Sequence, residues 1–391
     1  MRGLVVAMTE NRPVVSVVAT LNKGYLPYLE VMVQSLFAHR DPSRSYEIIV
    51  GSMDVSDTDL EPLRRSTGAP LFSVRLLDLS TSAERLANIP LSEGFPREIF
   101  FRLLLPEVLA DCDKVVYLDS DLVVLDDIAK IFDTDMGDDL VCACVDVGMA
   151  GMVGGYDPEA EHRLRDDLGL SDLYGYFSSG VLVWNLAAMR ATYSVDETLA
   201  YLCEHKLRYG DQDALNHFCQ GRVSYLDQRW NTLFDSEGIR VSEIVPHAPQ
   251  ALQDAYLRAR RDPAIFHYAG PVKPWQADVD GSDLFWREAR ESPSYETILR
   301  GWLVAQDGSG DGGPLSTIWK TFDDVYFKLS EAERIRHDLH ERATRLEAQA
   351  EGLREQVHAL QEENRELRIE LDVRTRSLFR KAADRVRRSS K

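Results

Sequence analysis

Residues 114–124 read Lys114-Val-Val-Tyr-Leu-Asp119-Ser-Asp121-Leu-Val-Val124. A β-branched and aromatic run ends in two carboxylates one residue apart, which predicts a buried strand whose carboxyl end carries an acidic turn. In open α/β sheets, ligands bind beyond the carboxyl ends of the strands. A hard divalent cation such as Mg²⁺ or Mn²⁺ takes oxygen ligands of this type and keeps positions open for substrate phosphates. The spacing alone says little, because the chain holds six such pairs: Asp57/Asp59, Asp111/Asp113, Asp119/Asp121, Asp133/Asp135, Asp211/Asp213 and Asp278/Asp280. In an acidic chain most of these are solvated turns or helix caps. Only Asp119/Asp121 follows a strand of the Val-Val-Tyr-Leu kind.

Further strands are expected at Val14 to Thr20, Glu47 to Gly51, Phe72 to Leu76, Leu140 to Cys144 and Gly180 to Trp184. Between them, Leu29, Met32, Val33 and Leu36 keep helical spacing within Tyr28 to Phe37, as does Leu199 to Leu207. Short apolar strands alternating with amphipathic helices predict an α/β domain with a mainly parallel sheet over the first 230 or so residues. With 391 residues and 44% hydrophobic content the chain has ample material for a core, and disorder along its whole length is excluded. The formal net charge of −19 argues against a general nucleic-acid binder, which needs clustered Lys and Arg. Five cysteines without metal-ligand spacing are read as buried thiols of a reducing cytoplasm. The short apolar run Gly3 to Met8 is broken by Glu10 and Arg12 and predicts no signal peptide or spanning helix.

Three more segments come after the acidic pair in order: Tyr176-Phe-Ser-Ser-Gly-Val-Leu-Val-Trp-Asn-Leu186, Asp211-Gln-Asp-Ala-Leu-Asn216 and His267-Tyr-Ala-Gly-Pro-Val-Lys-Pro-Trp275. With them, residues 13 to 290 resemble the retaining glycosyltransferases of family 8, which include bacterial lipooligosaccharide galactosyltransferases and glycogenin. The resemblance implies a GT-A fold with a mixed, mainly parallel sheet, Mn²⁺ (or Mg²⁺) as cofactor and a UDP-hexose donor. It implies a metal site of Asp119, Asp121 and His267, with Lys273 and the backbone near Gly270 on the diphosphate. Asp211 would accept hydrogen bonds from sugar hydroxyls, and Gln212 would lie under the anomeric carbon.

Gln212 is a poor nucleophile, so its amide oxygen is expected to stabilise positive charge on the sugar ring while the acceptor hydroxyl attacks from the leaving-group side. Asp213 is the rival carboxylate, and Asp211 has a plainer alternative as the cap of the helix running to Cys219. The resemblance also implies donor contacts from Ala19, Thr20, Asn22, Tyr25, Arg102, Ser120, Asp146, Ser178 and Ser179. The family often has an acid where Asn22 stands and Asn where Ser178 stands.

Near residue 308 the composition changes. Asp307-Gly-Ser-Gly-Asp-Gly-Gly-Pro314 contains a G-x-G-x-x-G spacing, but no strand precedes it and Pro314 comes next, so residues 306–315 are read as a linker closing a catalytic domain of residues 1–305. Leu339, Leu346, Leu353, Leu360 and Leu367 then hold one position of a seven-residue frame, and Ala343, Ala350, Val357, Asn364 and Leu371 the other. Residues 316–373 are therefore expected to form a coiled coil, and residues 318–371 to pair two copies as a parallel homodimer fixed by Asn364. A single amphipathic helix packed on its own catalytic domain is the alternative. Residues 374–391 carry eight Lys/Arg against Asp384. This amphipathic basic tail suits contact with anionic lipid at the inner face of the cytoplasmic membrane.

Together these features point to a metal-dependent retaining transferase moving glucose or galactose from a UDP-sugar to a glycan acceptor in α-linkage, without nucleic-acid partners. A nucleotidyltransferase is the enzymatic alternative, although Asn22-Lys-Gly-Tyr25 is a poor match to the basic Gly-rich loop those enzymes place after the first strand. A non-catalytic glycan-binding scaffold is the other.

Overall fold

The computed structural model describes residues 14–68, 70–90, 97–205, 207–235 and 238–307. The expected coiled coil and basic tail, and nearly all of the expected linker, lie outside these residues.

Seven strands form the main sheet: β1 (Val15–Thr20), β2 (Tyr46–Ser52), β3 (Phe72–Asp78), β4 (Lys114–Leu118), β6 (Val141–Val145), β7 (Phe177–Asn185) and β8 (Val223–Tyr225), in the order β3-β2-β1-β4-β7-β6-β8. β7 runs antiparallel to both neighbours, β4 and β6, and the remaining pairs are parallel. The result is the mixed, mainly parallel sheet of a GT-A-like α/β fold.

Both faces are covered. Val115 and Tyr117 enter one apolar cluster with Leu182 and Trp184, while Val116 and Leu118 enter another with Val181 and Val183. Alternate side chains of a strand point to opposite faces, so a strand buried on both sides reads as a continuous apolar run. Helix α1 (Leu26–His39) starts with Pro27 in its first turn and buries Leu29, Met32, Val33 and Leu36 at helical spacing. Helix α2 (Asp57–Ser66) starts from a capping box made by Ser56 and Asp59, so the Asp57/Asp59 pair is the helix start that its polar context suggests. The helix expected from Leu199 to Leu207 runs instead over Val195–Glu204, entered through a second capping box of Ser194 and Glu197.

A smaller sheet joins β5 (Leu122–Val124), β10 (Ile265–Tyr268) and β9 (Thr232–Phe234), in that order. Residues 119–121 are all that separates β4 from β5, so Asp119 and Asp121 lie where the chain crosses from one sheet to the other. Of the cysteines, Cys142, Cys144 and Cys219 are buried and Cys112 half-buried, but Cys203 is exposed at the end of its helix, which corrects the expectation that all five thiols lie inside. No helix among the described residues is long and apolar enough to cross a membrane.

Candidate active site

Strand register sets the acidic pair. β4 pairs with β7 from Lys114 opposite Asn185 to Leu118 opposite Val181, and the Asp119 N–H continues the ladder to the Gly180 carbonyl at 2.9 Å. On the other side, β10 pairs with β5 so that His267 faces Leu122, and the Tyr268 N–H donates to the Asp121 carbonyl at 3.0 Å. Two sheets thus bring residues 146 positions apart to one point, and His267 Nε2 lies 3.2 Å from Asp121 Oδ1 and 3.8 Å from Asp119 Oδ2. One ligand atom from each of Asp119, Asp121 and His267 falls within 4.8 Å of the others.

The orientation of His267 has its own support. Nδ1 lies 2.8 Å from Asn231 Oδ1, and the Asn231 Nδ2 donates to Ser178 Oγ at 3.0 Å. An amide oxygen only accepts, so Nδ1–H donates to Asn231, and Nε2 is the ring nitrogen turned toward the carboxylates. Gly180 makes room for this packing: a Cβ there would stand 2.3 Å from His267 Cε1 and 2.7 Å from Asp119 Oδ2. Two carboxylates and an imidazole nitrogen are a donor set that suits Mn²⁺ or Mg²⁺.

Cations flank the pair. Lys273 Nζ lies 2.6 Å from Asp121 Oδ2 and also donates to the Tyr268 carbonyl. Burial disfavours ionised Asp121, yet the nearby charges of His267 and Lys273 and their hydrogen bonds outweigh it and hold this carboxyl well below the usual range. Arg102 links the acidic pair to the next group. Its Nη2 donates to Asp119 Oδ1 at 2.7 Å, its Nη1 donates to the Ser179 carbonyl and hydroxyl, and its Nε lies 3.1 Å from Asp211 Oδ2. That last contact is an ion pair without hydrogen-bond alignment, since Asp211 Oδ2 has no hydrogen-bond partner. Burial pushes the Asp211 carboxyl up to about 6, with Arg102 opposing the rise and Asp119 adding to it.

Asp211 and Gln212 stand in the first turn of the helix Gly210–Cys219. The alternative reading of Asp211 as a cap finds no support, since this helix has no side-chain N-cap bond; Asp213 Oδ2 accepts from the N–H groups of Arg208 and Tyr209 just before the helix, while Oδ1 accepts from Tyr176 Oη at 2.6 Å. Thus Asp213, fully buried, spends its carboxylate on the scaffold, and Asp211 faces the cavity. Gln212 Oε1 accepts from the Ser179 N–H at 3.0 Å, and its Nε2 donates to Asp146 Oδ2 at 3.2 Å.

These groups line one cavity of about 710 Å³. Thr20, Asn22, Tyr25, Arg102, Ser120, Asp146, Ser178, Ser179, Gly270 and Lys273 line it with the acidic pair, Asp211, Gln212 and His267. Ala19 does not; its side chain is buried in the core of β1. The Gly270 N–H is already given to the Phe234 carbonyl at 3.2 Å. Tyr25, partly exposed at the rim, meets Trp275 edge-on at 6.3 Å, and Trp275 stacks on Tyr28 at 3.8 Å, which makes an aromatic wall. Arg240 and Tyr209 also line the cavity, and Asn231 supports it from behind. No sequence pattern singles these three out, because each reaches the site by tertiary packing alone.

The chain is similar to known proteins in sequence and in fold. The lipopolysaccharide glucosyltransferase WaaO of Escherichia coli K12 is 26% identical over 238 residues, 58% of this chain and 64% of that protein. The galactosyltransferase LgtC, solved with donor and acceptor sugar analogues, superposes with a TM-score of 0.58 at 28% identity, covering 71% of this chain and 96% of LgtC. The bifunctional glycosyltransferase WbbM gives a TM-score of 0.67 at 26% identity over 75% of this chain, which spans about half of WbbM. The model of glycosyl transferase family 8 matches residues 16–279, a stretch that takes in every strand of both sheets except the first residue of β1, and the whole Asp119–Asp121–His267 cluster, so the chain belongs to that family.

Proposed function

We propose that the protein is a metal-dependent retaining hexosyltransferase that moves glucose or galactose from a UDP-sugar to a glycan acceptor in α-linkage. The observation that carries the reading is the convergence, in one cavity, of a metal-competent Asp-Asp-His cluster with Lys273 and of a neutral amide, Gln212, beside two acids that line the cavity, Asp146 and Asp211.

Asp119, Asp121 and His267 would hold Mn²⁺ or Mg²⁺. When bound, the ion supplies charge stabilisation to the departing diphosphate. Lys273, beside Asp121, adds a mobile point charge for the same phosphates. Tyr25 and the aromatic wall behind it offer a face for the uracil, and Asp211 and Asp146 offer acceptors for sugar hydroxyls. With no carboxylate under the anomeric carbon, the support falls on attack from the leaving-group side. There the acceptor oxygen bonds to the anomeric carbon as the bond to the diphosphate breaks, and a phosphate oxygen takes the hydroxyl proton. Gln212 Oε1 stabilises positive charge on the ring meanwhile. A homodimer through residues 318–371 and contact of residues 374–391 with anionic lipid complete the reading from sequence alone, consistent with a place at the inner face of the cytoplasmic membrane.

The test is release of UDP from a panel of nucleotide sugars, with and without Mn²⁺, beside Asp119→Ala/Asp121→Ala. Slow, metal-dependent hydrolysis of one donor that the double substitution abolishes is the expected result. Failure of the folded protein to bind or turn over any UDP-sugar would return the nucleotidyltransferase or scaffold alternatives.

A further inference from the structure

We propose that Arg240 is a positioning residue for the transfer step, fixing the carboxylate of Asp146 and, through it, the amide of Gln212; this rests on the transferase reading above. Arg240 opens the short helical segment Arg240–Ile244, where its backbone N–H is tied to Asp235 Oδ2 at 2.8 Å, and its side chain forms part of the cavity wall. Nη1 lies 3.3 Å from Asp146 Oδ1, the oxygen that also accepts the Met149 N–H at 3.1 Å. The second oxygen, Oδ2, takes the Gln212 Nε2 donor. Asp146 is thus held at both oxygens.

The consequence falls on Gln212. With Nε2 given to Asp146 and Oε1 accepting from the Ser179 N–H, the amide has one satisfied orientation. Turning it over would set oxygen against carboxylate and N–H against N–H. Asp146 and the Ser179 N–H together decide which end of Gln212 is the oxygen, the end suited to positive charge on the sugar, and Arg240 holds Asp146 in place. Removing Arg240 leaves a carboxylate that is only 8% exposed without its paired cation, a costly state that favours another side-chain position.

A second observation stands apart from these hydrogen bonds. A Cβ on Gly148 would lie 2.1 Å from Arg240 Nη1. The guanidinium occupies space that exists because residue 148 has no side chain. It stays there although its Nε is buried without a hydrogen-bond partner. Gly148→Ala should therefore evict the guanidinium, and its Cβ would also press on Asp146 Oδ1 at 3.1 Å, with the side chains of Arg240, Asp146 and Gln212 chemically intact.

The experiment uses the full chain. Arg240→Ala and Gly148→Ala should each lower kcat for UDP-sugar turnover by about tenfold or more, with donor KM changed less than about threefold, and Arg240→Lys should recover part of the loss. Arg240→Ala added to Asp146→Asn should cost little beyond Asp146→Asn alone, because residues of one network are not additive. A crystal structure of Arg240→Ala should show Asp146 moved and its contact with Gln212 Nε2 lost. The proposal is overturned if kcat is unchanged, if the two losses multiply, or if Asp146 and Gln212 keep their positions in that crystal structure. A parent protein that releases no UDP from any sugar nucleotide defeats the transferase reading instead, and the crystal structure still decides for or against the relay.

Discussion

His267 offers its Nε2 to the acidic pair because Asn231 accepts from Nδ1, and Asn231 is itself oriented by the Ser178 hydroxyl. The position where the family often has Asn is thus filled by a serine that acts as an anchor one step behind the Asp119–Asp121–His267 cluster. Removing the amide leaves two buried polar groups unpaired and frees the ring to rotate or to change tautomer. Asn231→Ala should raise the Mn²⁺ concentration that half-saturates UDP-sugar turnover by about 10- to 100-fold, the usual size of such supporting effects, read by metal titration of initial rates. Equal metal requirements in variant and parent would show that the hydrogen bond does not orient the ligand. At this scale, legibility depended on context. Asp119 and Asp121 stand out because an apolar strand aims them, and Gln212 because it sits beside Asp211 in an ordered series of motifs. Asn231 and Arg240 occupy stretches with no periodic pattern, and only the pairing of β10 with β9 and the packing of Gly148 bring them in.

The inner strands β1, β2, β4, β6 and β7 of the main sheet could be read because they are buried on both faces, which leaves a continuous apolar signal. The expected bounds of β4 match, and those of β1, β2, β3, β6 and β7 differ by one to three residues at an end. β5, β8, β9 and β10 were not legible: each has three or four residues, too few to distinguish pairing from a short apolar turn. Helix α1 hides a further feature. Glu30 sits on its buried side, 2% exposed, with its carboxylate accepting from the Ser294 hydroxyl, and burial pushes its carboxyl up to about 7 despite that hydrogen bond. The folded value is above the unfolded one, so the folded chain holds this proton more tightly. The associated stability is present in full below about pH 4.5 and is lost as pH rises through 7, a difference on the order of 3 kcal/mol. Glu30→Gln keeps an acceptor for Ser294 and removes the titration. Thermal unfolding should show the variant several degrees more stable than the parent at pH 8, with the gain shrinking toward pH 5. A constant difference between the two proteins across that range would mean that Glu30 does not titrate with the raised value argued here.

For the whole molecule, charge and hydropathy divide the chain at the Gly-rich stretch near residue 308. The family match ends at residue 279, and the leucine stripe and basic tail beyond it are known from sequence alone. Five leucines at strict sevenfold spacing, Leu339 to Leu367, are more than one surface helix needs to dock on its own domain, and Asn364 in the companion position is the kind of polar residue that selects two parallel strands at some cost in stability. The residues that line the cavity all lie between Thr20 and Lys273 of one chain. Pairing would therefore serve avidity or placement of two sites on one acceptor surface rather than complete either site. The full chain should sediment as a dimer, and Leu346→Glu/Leu353→Glu/Leu360→Glu should give monomers whose UDP-sugar turnover per chain equals that of the parent. Asn364→Leu should strengthen association while admitting higher oligomers, since the register constraint is gone. A parent that sediments as a monomer at micromolar concentration would assign the leucine stripe to an intramolecular contact. Loss of turnover in the monomeric variant would make the second copy part of the site after all.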